Sequence, residues 1–155
     1  RKNGSRVVLN TLPPCSETLL LARHAREKFG DQSPGARIER ANEIIRNIAA
    51  ATGSELFDLN ALVAASGDPD AASSLLRNQA NAKMDDGVHL RKEGYELWAE
   101  KLMALPAVSS LPADGMIVCL GDSLTYGAGM TGAGTSSGDT MPGCLRRLIE
   151  MKERK

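Results

Sequence analysis

Ser123 stands directly behind an unbroken apolar run, Met116-Ile117-Val118-Cys119-Leu120, and is presented by Gly121-Asp122. A hydroxyl just past the carboxyl end of a buried parallel strand lies where open α/β sheets form their ligand crevice. Earlier in the chain, Asp86-Gly87-Val88-His89 places a carboxylate and an imidazole three residues apart, close enough to come from one short turn. Together the three groups are the parts of a nucleophilic hydrolase. The imidazole takes the hydroxyl proton near neutral pH, and the carboxylate fixes its tautomer and stabilises the imidazolium. Each residue also has a plainer use. Ser123 suits a turn at a strand end, Asp86 an N-cap or Asx-turn ahead of a helix, and His89 an exposed loop. Asp85 is four residues from His89 and is a poorer candidate than Asp86; Asp122 is expected to cap the turn that presents Ser123. His24, between Arg23 and Arg26, reads as a solvated side chain, and Cys119 as a core thiol.

The elements that must hold these groups alternate along the chain. Ser5–Pro14 is a short β-branched run closed by two prolines. Ser16 is an N-cap for a helix over Glu17–Phe29 that ends at Gly30. Residues 36–53 form the clearest amphipathic helix, with Ile38, Ala41, Ile44, Ile45, Ile48 and Ala49 on one face and a stop at Gly53. A strand over Glu55–Asn60 follows, then a short helix near Ala71–Asn78, and a helix over Arg91–Leu105 carrying Tyr95, Leu97, Trp98, Leu102 and Met103. Residues 106–115, with two prolines and two serines, form a linker. Met116–Leu120 is near-continuous in apolar residues, as a strand buried on both faces is. A glycine-rich loop and a last helix, Cys144–Lys155, complete the chain. Strands alternating with helices point to a layered α/β fold with a parallel sheet.

Composition narrows the function. The 155 residues fit one domain with a real core. Nineteen basic and nineteen acidic residues cancel, so there is no electrostatic footprint for nucleic acid or an anionic membrane. No apolar run approaches the roughly 18 residues of a membrane span, and no signal peptide is visible, so the chain reads as soluble, with its compartment unassigned. Cys15, Cys119 and Cys144 are odd in number and widely spaced, which indicates neither a disulfide framework nor a zinc site. Gly127, Gly129 and Gly132 match G-x-G-x-x-G, yet the loop lacks the lysine of a P-loop, and Glu150, at about the distance of a ribose-binding acid, falls inside a helix.

Gly-Asp-Ser-Leu-Thr-Tyr-Gly at 121–127 and Asp-Gly-Val-His-Leu-Arg-Lys-Glu-Gly-Tyr at 86–95 resemble the first and last sequence blocks of the SGNH (GDSL) hydrolases. Ser5–Pro14 resembles the strand and proline turn that precede the family's last block, and Glu55–Leu59 its final strand. The resemblance implies a three-layer α/β/α flavodoxin-like fold, here incomplete with its middle strands missing, and an ester hydrolase that needs no cofactor. It implies Ser123 as nucleophile and, through its backbone N–H, one oxyanion donor; His89 as base; and Asp86 as the orienting acid. The substrate would be a small ester, a carbohydrate or lipid acyl ester included.

Two departures stand beside it. The family places its serine block first, whereas here Asp86 and His89 precede Ser123, and the two blocks that supply a glycine N–H and an asparagine side chain to the oxyanion hole have no counterpart. This order is expected of a tandem array: residues 1–105 as the C-terminal part of one domain, 106–115 as linker, and 116–155 as the start of the next, with the chain a fragment. A circular permutant would still contain the middle blocks. With a sheet order of 2-1-3-4-5 the chain would own strands 4, 5 and 1, its open edges would invite association, and Ser123 would meet His89 only by accident of register. The linker could span roughly 30 Å if extended. The alternatives are a non-catalytic α/β fragment and a nucleotide-binding Rossmann-like piece.

Overall fold

Two prolines end the first strand and start a crossover. In the computed structural model, which describes residues 4–112 and 114–154 with the Glu153 side chain excepted, β1 (Val8–Asn10) pairs in parallel with β2 (Glu55–Phe57), Leu9 standing opposite Leu56. Arg1–Asn3, Ala113 of the expected linker and Lys155 at the expected helix end lie outside the described residues. The chain forms two compact units, Arg1–Val88 and His89–Lys155, and is mixed α/β; among the described residues the sheet has these two strands.

In the first unit the crossover that a parallel pair requires is α1 (Glu17–Arg23) and α2 (Pro34–Thr52). Ser16 caps α1 by accepting from the Leu19 amide at 3.0 Å. The helix expected to continue to Gly30 opens at His24, whose backbone is extended, and resumes as one 3-10 turn over Arg26–Phe29. Residues 23–28 hold only Ala25 as an apolar side chain, so no buried face sustains further turns.

Ser33 and Pro34 start α2, and Gly53, at φ 61°, ends it. Its inner face departs from the expected one in part. Ala49 is buried as expected, but Ile44 and Ile48 are about half exposed at 52% and 47%, whereas Asn42 is buried. Asn42 takes the inner position because it accepts from the Leu12 amide at 2.7 Å and donates to the Leu12 carbonyl at 2.9 Å. The second strand is shorter than expected, because Asp58 caps α3 (Leu59–Ala64) by accepting from the Ala61 amide at 3.0 Å. The helix expected near Ala71–Asn78 lies instead at α4 (Gln79–Ala82), where Asn78 and Asn81 cap reciprocally.

The second unit is helical. The helix α5 (Lys92–Met103) packs on α8 (Met141–Glu153), with Tyr95, Trp98, Ala99 and Leu102 buried on one and Cys144 and Leu145 on the other. The Tyr95 and Trp98 rings stack at 6.4 Å. Within the expected linker, α6 (Pro106–Ser109) buries Ala107.

The expected buried strand at 116–120 is not formed. Met116, Val118 and Leu120 are 83%, 67% and 89% exposed, and among the described residues Ile117–Leu120 make no backbone hydrogen bond. A strand exists only against a partner ladder, and no described segment supplies one. The alternation of sides survives. Ile117 and Cys119 point into an apolar cavity of about 480 Å³ shared with Met103, Val108, Leu145 and Ile149.

Candidate active site

Ser123 opens α7 (Ser123–Tyr126), a single turn whose N-cap is Asp122. The Asp122 carboxylate accepts from the Leu124 amide at 2.9 Å, which is the capping role expected of it. Gly121 lies so close to the Thr125 hydroxyl that a side chain there would collide with it. Ser123 is exposed, so its hydroxyl is open to a ligand.

After α7 the chain turns through the glycine-rich segment before entering α8 at Thr140. Gly127 ends α7 in the left-handed region at φ 75°, and the Gly134 amide donates to the Tyr126 carbonyl at 2.7 Å. The Tyr126 ring fills the space where a Gly134 side chain would stand. Asp139, at the far end, pairs with Lys92 of α5 at 3.3 Å and Arg147 of α8 at 3.6 Å. These ties hold α7 and the start of α5 in one frame. The glycines are therefore spent on folding the loop back, which accounts for the G-x-G-x-x-G match.

His89, half-buried, precedes α5 by three residues. Its Nε2 lies 2.9 Å from the Ser123 Oγ, across 34 residues of sequence. In the tautomer with the proton on Nδ1, the serine hydroxyl donates to Nε2, which is the alignment a general base needs to take that proton. Strand register plays no part in the meeting; helix packing and the 127–140 loop do.

No family model, curated protein or solved structure matches the chain.

Asp86 belongs to the first unit and is buried there. Its Oδ2 pairs with the Arg77 guanidinium at 2.7 Å, and its Oδ1 accepts from the Val88 amide at 3.1 Å, the Asx-turn arrangement of its plainer use. Arg23 of α1 donates to the Asp86 carbonyl. Gly87, at φ 70°, donates to the Arg77 carbonyl at 2.8 Å and accepts from the Ser16 amide at 2.8 Å. A side chain on Gly87 would come within 2.6 Å of the Ser16 Cβ. Asp85 is instead exposed and accepts from Gln79 at 2.7 Å. His24 is exposed beside Phe29.

The sequence reasoning passed over Arg77. A signal was present, since it is the one charged residue between Asp70 and Lys83. The thiols are poor rivals to the serine. Burial, with a smaller push from Glu17, raises the Cys15 thiol to about 11, and burial also raises Cys119 and Cys144. The thiolate is the nucleophilic form. Among the described residues no group of three His, Cys, Asp or Glu side chains is placed to hold a metal ion, and no helix is long and apolar enough to cross a membrane.

Proposed function

We propose that the chain carries serine acyl-hydrolase machinery of the SGNH type, acting on a small ester through an acyl-enzyme. The 2.9 Å approach of Ser123 Oγ to His89 Nε2 is the observation that carries it. Ser123 attacks the ester carbonyl while His89 accepts its proton; His89 then returns that proton to the departing alcohol, and a water, deprotonated in turn by His89, frees the acid. Asp86 is assigned the orienting role on its place three residues ahead of His89 in the chain. The Ser123 backbone N–H is assigned as an oxyanion donor. The glycine and asparagine donors of the family are missing, and loss of one such donor costs about 2.7–4 kcal/mol, so hydrolysis by this chain is slow. The parallel β1–β2 pair and its helical crossover are compatible with a three-layer flavodoxin-like architecture, to which we assign them. The block order supports a tandem array in which the Asp–His and Ser blocks come from successive domains.

A fluorophosphonate probe tests this. The folded protein should be labelled at Ser123, and Ser123→Ala should abolish both the label and p-nitrophenyl acetate hydrolysis. His89→Ala should slow labelling by about 10³-fold or more, as loss of a base from such a set does. A folded protein that takes no label, or takes it elsewhere, sinks the proposal.

A further inference from the structure

We propose that Tyr126 is a specificity residue of the hydrolase site, its ring stacking on an aromatic ring of the ester, so that esters carrying such a ring are taken in preference to those without one. The inference rests on the nucleophilic role proposed for Ser123. Both residues belong to the second unit and to one helical turn, α7. Residues three apart on a helix are neighbours on its surface, with about 5–6 Å between their Cβ atoms. Ser123 is exposed, and Tyr126 is 57% exposed. A single exposed aromatic residue is common on a protein surface. This one stands beside the hydroxyl that attacks, within reach of a ring attached close to the ester group.

The ring is held in place along one edge. The backbone at Gly134 lies against its Cδ2–Cε2 side, so closely that a side chain there would collide with it, and the Gly134 amide donates to the Tyr126 carbonyl at 2.7 Å. The rest of the ring is open to solvent, and among the described residues the phenol makes no hydrogen bond. A tyrosine has few torsions to freeze, so a ring already fixed along one edge offers contact area at small entropic cost. Residues 123–138 carry no charged side chain. The turn and loop that present the ring therefore select a neutral group by its flat apolar face, and aromatic pairs of this kind add a modest, geometry-dependent gain beyond area burial.

The full chain is used for the test, with two readouts. The first is kcat/KM for benzyl acetate, with its ring on the alcohol, and methyl phenylacetate, with its ring on the acyl group, each relative to ethyl acetate. Tyr126→Ala should lower that ratio about 3- to 10-fold for one or both ring esters, the scale of one aromatic pair. The loss should fall on KM more than on kcat, as for a contact made alike in the ground and transition states, and the ester that responds identifies the side that bears the ring. Tyr126→Phe keeps the ring and should restore the wild-type ratio; Tyr126→Leu, apolar but without a ring, should not. The second readout is the dissociation constant of the two ring esters on Ser123→Ala, by NMR shift titration, which adding Tyr126→Ala should weaken by a similar factor. The inference is overturned if folded Tyr126→Ala loses rate on all three esters alike, as a merely loosened loop would, or keeps the wild-type ratio, or if Tyr126→Leu restores it. If wild-type Ser123 takes no fluorophosphonate label, the hydrolase reading falls, while the titration on Ser123→Ala still decides whether Tyr126 holds a ring.

Discussion

Asn42 supplies the backbone of the turn after β1 with hydrogen bonds that a loop would otherwise take from water. Its amide group bonds both the Leu12 N–H and the Leu12 carbonyl, and Asn60 bonds that carbonyl a second time at 2.9 Å. Asn42→Ala leaves the Leu12 N–H without its acceptor, a change that should cost about 1–3 kcal/mol and shift the urea midpoint without altering the slope. The effect should be larger than that of Ile48→Ala, because Ile48 is half exposed. Pattern reading favours the isoleucine over the asparagine since it counts apolar side chains, and polarity hides a residue that is buried for its hydrogen bonds. Residue type did single out Ser123 and His89. Their separation could not be read from spacing, because the packing of α5 on α8 and the loop that follows Ser123 set it.

At the scale of elements, α1 and α2 are joined by one carboxylate. Glu17 in the first turn of α1 accepts from the Ser33 hydroxyl at 2.6 Å and from the Gly35 amide at 2.8 Å, at the start of α2. The Ser33 hydroxyl, then the Gly35 amide, hold its carboxyl below the ordinary value of 4.5. A depressed carboxyl stabilises the fold above its unfolded value and loses that contribution as pH falls through the folded one. Glu17→Gln should therefore lower the Tm at pH 7 by roughly 1–3 °C, a small figure because water still reaches the group, and the gap to wild type should close below about pH 4.5. A gap independent of pH would remove the ionic part of this account. The caps at Ser16 and Gly53 were legible because capping chemistry is local. The break at His24 and the missing strand at 116–120 were not, because each depends on what the element packs against or pairs with.

For the whole molecule, alternating strands and helices were enough to foresee a parallel strand pair joined by helices. They were not enough to foresee that the apolar run ahead of Ser123 would lie outside the sheet. Its bare backbone and outward Met116, Val118 and Leu120 also form a ready cleavage site for a protease that prefers large apolar residues. Thermolysin should nick the native chain first between 116 and 120, read by mass spectrometry; a first cut within α5 or α8 would contradict the packing described. Such a nick separates His89 and Ser123 onto different polypeptides. The packing of α5 on α8, with the Lys92–Asp139 pair and the Lys152 bond to the Ser109 carbonyl, would then keep them in one particle, so a clipped sample that still takes the probe at Ser123 would be a two-piece enzyme, able to be parted and rebuilt from its halves.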